Sequence, residues 1–228
     1  GAGRQVLAGP NTYTGNTSVA GGVLAVSGGA AIADTGLVSV ASGATFEVAG
    51  SETIGTLSGA AGSSLNLASG TLTLGTAANS SFAGAVFGAG SLTKQGSGVF
   101  TLSGSNTITG TTTISAGTLT AANGAAIGDG GAVNVAAGAT FNLANSERIG
   151  SLSGAGGVTL GANTLTTGDA SNSSFSGTFT GTGGMTKEGS GKFSTASLGY
   201  SCLTTVNAGE LNVNGAIAGS VLINAAGT

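Results

Sequence analysis

The chain has 228 residues, among them 46 Gly, one Pro, one Cys and no His or Trp, and its five basic and eight acidic side chains leave a net charge of -3. With 40% hydrophobic residues and so little charge, disorder driven by self-repulsion is excluded, and a single Pro excludes collagen. Five cations cannot neutralise a run of phosphates, so nucleic acid is not an expected partner, and no apolar run reaches the roughly 18 to 20 residues of a membrane-spanning helix.

The chain starts at GAGRQVLAGP, without a signal peptide and already inside a repeat, so it is expected to be a piece of a longer protein. From there to the C-terminus, pairs of apolar residues recur two apart: Val38 and Val40, Phe46 and Val48, Leu65 and Leu67, Leu72 and Leu74, Phe100 and Leu102, Val133 and Val135, Phe141 and Leu143, Leu211 and Val213. Alternation over four or five residues rich in Val, Thr, Ile and Phe predicts short strands with one buried face. Between them lie SGG, GDGG, ASG, NAG and AANG, residues that supply positive φ and side-chain turn bonds at corners. No segment has helical spacing.

A longer period overlies the short one. GATFEVAGSETIGTLSG at 43–59 returns as GATFNLANSERIGSLSG at 138–154, with 12 of 17 positions identical and an offset of 95. NSSFAGAVFGAGSLTKQGSGVF at 79–100 returns as NSSFSGTFTGTGGMTKEGSGKF at 172–193, with 13 of 22 identical and an offset of 93. The two lost residues fall where GAAGSSLNL becomes GAGGVTL, which marks a turn. The repeats are approximately 1–95, 96–188 and a partial 189–228, forming one continuous segment. Such periodicity favours a solenoid over a sandwich, and short strands with two Tyr and no Trp do not suit a membrane barrel. With three strands per coil in about 20 to 25 residues and about 4.8 Å between coils, the chain should make about ten coils over about 50 Å, with repeat-related residues four coils, about 19 Å, apart.

The block GAGSLTKQGSGVFTLSGSNTITGTTTISAGTLT at 88–120 resembles the passenger-associated β-strand repeat of bacterial autotransporters. GTGGMTKEGSGKFSTASLGYSCLTTVNAGELNV at 181–213 matches its first half and its TTVNAG end, and GPNTYTGNTSVAGGVLAV at 9–26 its second half. The resemblance extends over essentially the whole chain. It implies an all-β, right-handed parallel β-helix, exported through the outer membrane by type V secretion to the cell surface or the extracellular space. The expected partner is the protein's own C-terminal translocator barrel, outside this chain. One departure is ASLGYSC in the third copy, one residue shorter than SGSNTITG, with Cys202 where the turn glycine stands. If that corner needs positive φ, Cys202 should strain it and reshape the turn.

No catalytic set emerges. Without His, Ser-His and Cys-His arrangements are unavailable, and Cys202 reads as a small buried hydrophobe with no partner for a disulfide. β-Helical polysaccharide enzymes cluster carboxylates, whereas Asp34, Glu47, Glu52, Asp129, Glu147, Asp169, Glu188 and Glu210 are dispersed and read as solvated turns. Lys94 and Lys187, equivalent in the two copies, read as corner lysines that keep the rod soluble. GAGG and GTGG have no following helix to make a phosphate site, and most of the Phe and Tyr side chains, such as Phe46, Phe100, Phe141 and Phe175, sit at alternating positions that read as core-facing.

The expectation is therefore a non-enzymatic segment with no catalytic, cofactor-binding or metal residues and no small-molecule substrate: a stalk that carries a functional region away from the cell. The alternative is an adhesin or self-associating surface built on Thr, Ser and Asn rows, contacting a host surface or another copy. A polysaccharide-degrading β-helix is the third reading.

Overall fold

In the computed structural model, residues 1–224 are described. Among them the chain forms 29 strands of two to five residues and no helix, and the strand pairs are parallel. Each strand pairs with one about twenty residues along, as Leu72 pairs with Leu92 and Val133 with Leu152. This is a parallel β-solenoid of about eleven turns, one more than the sequence arithmetic predicts.

Three faces line the solenoid. Face I is a nine-stranded sheet running from Thr17–Val19 to Thr178–Gly181, and face III is a second nine-stranded sheet from Glu52–Ile54 to Glu210–Val213. Face II begins as a six-stranded sheet, Arg4–Leu7 to Thr107–Ile108, and resumes as a five-stranded one, Glu147–Ile149 to Val221–Ile223. Between its two parts the chain at 123–131 forms two consecutive turns, closed by Ala126 N to Asn123 O (3.0 Å) and Gly131 N to Gly128 O (2.7 Å). The sequence there, NGAAIGDGG, has too few alternating apolar residues to extend into a strand.

Alternation makes the core. In TFEV (45–48), TLTL (71–74) and TFNL (140–143), every second side chain turns inward and is buried, and parallel pairing stacks it on the inward side chain of the next turn. Leu24, Phe46, Leu65 and Val86 form one such column on face II. Phe100, Leu119, Phe141 and Val158 form another on face I. Phe46 and Phe141 are both fully buried.

The sequence repeat is out of step with the turns. Thr45–Val48 lies on face II, while its counterpart Thr140–Leu143 lies on face I; Glu52–Ile54 moves from face III to Glu147–Ile149 on face II; Thr56–Gly59 moves from face I to Ser151–Gly154 on face III. One repeat therefore spans about four and two-thirds turns, not four, so equivalent residues lie about 22 Å apart along the axis and one face round. The two-residue deletion falls at a corner, as expected: the turn Ala60–Ser63, closed by Ser63 N to Ala60 O (3.1 Å), is the part that shortens.

The corner at Cys202 is not strained. No non-glycine residue among those described has positive φ, and neither has Gly110, the glycine that Cys202 replaces. Gly110 is needed for another reason: a Cβ there would lie 2.0 Å from the carbonyl oxygen of Gly90 in the preceding turn. In the third copy the shortened corner leaves Cys202 exposed rather than buried.

Candidate functional site

The charged residues divide into two groups by burial. Glu52 and Glu147, read from sequence as solvated turn acids, are buried, as are Lys94 and Lys187, read as solvent-facing corner lysines. All four sit at inward positions of strands, where the alternation that buries Leu and Ile buries them as well.

Each glutamate holds a segment of the preceding turn. The Glu52 carboxylate accepts from the backbone of Ile32 (2.7 Å) and Ala31 (3.2 Å), and Glu147 repeats this with Ile127 (2.7 Å) and Ala126 (3.2 Å). From the other side, Asn11 and Asn106 donate through Nδ2 to Ala31 O (2.9 Å) and Ala126 O (2.6 Å). Asn, the Ala-Ala-Ile segment and Glu thus come from three successive turns, and these side chains supplement the backbone bond from Asn11 N to Ala30 O (3.0 Å) or Asn106 N to Ala125 O (2.8 Å). Burial raises the pKa of both glutamates, Glu147 to about 7, the two backbone N–H groups oppose the rise, and Asp34 or Asp129 adds to it.

The lysines bind carbonyls. Lys187 Nζ donates to Glu188 O (2.5 Å), Gly189 O (2.9 Å) and Ala208 O (3.2 Å); Lys94 Nζ donates to Gly96 O and to Ala116 O (3.4 Å). Each ammonium joins its own corner to the corner of the next turn, and burial lowers the pKa of both.

The remaining acids have partners of their own or face solvent. Glu47 pairs with Arg4 (2.5 Å), Glu188 with Arg148 and Glu210 with Lys192 (2.8 Å), Asp169 accepts from Ser171 N (2.6 Å), and Asp34 and Asp129 are exposed. No group of three or more His, Cys, Asp or Glu among the described residues is placed to hold a metal. A cleft of about 440 Å³ opens at the N-terminal end with Arg4 as its one charged side chain, and a cleft of about 360 Å³ at the other end is lined by Val206, Glu210, Leu211, Val213, Val221 and Ile223. Eight of the ten aromatic residues are buried, and Phe87 and Tyr13 are exposed.

Outward, the sheets present uncharged hydrogen-bonding rows. Face I carries Ser18, Ser39, Ser58, Ser81, Thr101, Thr120, Asn142, Thr159 and Thr180 in register. Face III carries Thr53, Thr73, Thr93, Thr113, Asn134, Ser153, Ser174, Ser194 and Asn212. No Asp, Glu, Lys or Arg occurs in the strands of face I.

The family described as passenger-associated-transport-repeat matches at residues 1–26 and 92–121, about a quarter of the chain. These two segments match an autotransporter passenger repeat family. Comparison with curated proteins and with solved structures gives no match. The second match holds Lys94 and Asn106 and the first holds Asn11, so the matched segments include three of the residues that fasten one turn to the next. A passenger repeat implies export to the cell surface or the extracellular space.

Proposed function

We propose that this segment is a rigid stalk that presents a functional region of an autotransporter passenger outside the outer membrane. The observation that supports this reading is the unbroken stack: two nine-stranded parallel sheets share one core, so length grows linearly with repeat number. The charged groups that are buried fasten turns together instead of converging on a ligand. Removing one repeat from the full-length protein should shorten the reach by about 22 Å and rotate everything beyond it by one face, about 120°, with the specific activity of the distal region unchanged. Loss of intrinsic binding on that deletion would contradict the stalk reading.

A second reading, self-association or adhesion, draws on the face I row, which runs uncharged across nine strands, about 38 Å. Its area is below the roughly 800 Å² per partner of a stable interface, so contact through it would be weak and would gain from longer rods. Light scattering on dilution distinguishes the two: a monomer persisting at high concentration counts against association.

A further inference from the structure

The break in face II is bridged by two backbone bonds, Asn106 N to Ala125 O (2.8 Å) and Gly150 N to Gly131 O (2.9 Å), and otherwise by side chains, one of them a carboxyl group with no cation beside it. Glu147 reaches the Ala126–Ile127 segment from the turn above, its side chain is buried, and its strand neighbour Arg148 turns outward to Glu188. The charged group that acts on Glu147 is Asp129, of like sign, on the clasped segment itself. On the side of Thr107–Ile108 the neighbours Ser105, Asn106 and Thr107 are neutral, and on the side of Leu165–Thr167 the residue paired with Glu147 is Leu165.

The neutral side chain keeps the shorter of its two backbone bonds. A protonated carboxyl keeps a carbonyl oxygen for the shorter bond from Ile127 N (2.7 Å) and gives up the longer one from Ala126 N (3.2 Å). Ala126 N already has a second acceptor, Asn123 O at 3.0 Å. Ionisation places an unpaired negative charge in the core next to Asp129, with only two backbone N–H groups against it.

We infer that the Asn-Gly-Ala-Ala-Ile segment at 123–127 is a proton-operated clasp, closed when Glu147 is neutral and loosened when it ionises, and that Glu52, facing Asp34, works the same way on Ala31 and Ile32. The raised pKa of both glutamates agrees with this. Because the clasp belongs to the repeat, a longer rod takes up about one proton per copy as the surroundings acidify, and successive clasps open on different faces.

Two measurements on the 228-residue chain test it. A carbon-detected titration of the Glu147 carboxyl should show a midpoint near 7. Hydrogen exchange, corrected for intrinsic rates, should show protection of the Ile127 amide falling about tenfold from about pH 5.5 to about pH 8.5, while Val133 on the adjoining face III stays level. Glu147→Gln, which mimics the neutral form, should hold Ile127 protection level across that range. A midpoint at or below the ordinary carboxyl value of 4.5, or wild-type protection at Ile127 that is level or rises with pH, overturns the proposal, and the wild-type titration decides it even if the Gln variant does not fold.

Discussion

Tyr200 Oη lies 2.5 Å from Thr204 Oγ1, four residues along the chain, and Tyr13 makes the same contact with Thr17 at 2.8 Å in the first copy. In the second copy Ile108 stands in place of the tyrosine, and the corresponding Thr112 Oγ1 is buried without a partner. Thr167, which stands where the first copy has Leu74, is orphaned likewise.

The same substitution should therefore act with opposite sign at equivalent positions. Thr112→Val and Thr167→Val should each raise the stability read from urea titration, by about 1 kcal/mol, because a buried unpaired hydroxyl is removed. Thr204→Val should lower it by about 1 to 2 kcal/mol, because it strands the Tyr200 hydroxyl in the core. Equal effects at Thr112 and Thr204 would refute the pairing argument.

Stability should pass through a minimum between acid and alkaline pH. Glu52 and Glu147 have raised pKa values, so the fold favours their neutral forms: that contribution is fully present below about pH 4.5 and is lost as pH rises through about 7, at a cost of about 3 kcal/mol for Glu147. Lys94 and Lys187 have lowered values, so folding again favours the neutral form and stability returns as pH approaches the ordinary lysine value of 10.5. Tyr200, pushed up to about 12, reverses the gain above its ordinary value of 10.0. Denaturation midpoints across pH should trace this curve, and the double variant Glu52→Gln, Glu147→Gln should flatten its acid limb.

Lys187→Met should cost about 2 kcal/mol and Lys94→Met less, since Lys187 serves three carbonyl oxygens and Lys94 two. Denaturant titration of the two variants checks the order. If both are neutral, the ammonium groups do not fasten the turns.

Two glycines separate two reasons for glycine. Gly110→Ala should cost about 3 kcal/mol, because its Cβ would overlap the backbone of Gly90. Gly138→Ala, at φ 82° with open space around it, should cost about 1 kcal/mol from backbone strain alone. Thermal melts of the two single variants measure the difference.

Much of the fold was legible in period-two spacing, because an inward side chain in a solenoid has one neighbour type above and below and local alternation is enough to specify it. Phe46, Leu72, Val133 and Phe141 all lie where that spacing puts them. Apolar spacing alone does not reveal the burial of the charged residues, because alternation places any side chain of the inward phase in the core. Glu52, Lys94, Glu147 and Lys187 occupy the same inward phase as Ile54, Leu92, Ile149 and Met185. The two copies held a further signal. Buried charges persist between them, Glu52 as Glu147 and Lys94 as Lys187, while charges in surface ion pairs do not: Arg148 stands where the first copy has Thr53, Glu188 where it has Gln95, and Lys192 where it has Val99. A buried charge has partners that must be kept, whereas an exposed pair contributes little and is readily exchanged.

The sequence by itself determined the strands, their inward faces and the repeat, since each depends on residues within a few positions of one another. Only the tertiary structure decided that the repeat advances by four and two-thirds turns, and that Asn106, Ile127 and Glu147 meet across three of them. How many residues each corner consumes sets the phase of every turn above it, and corner length has no periodic signature in the chain.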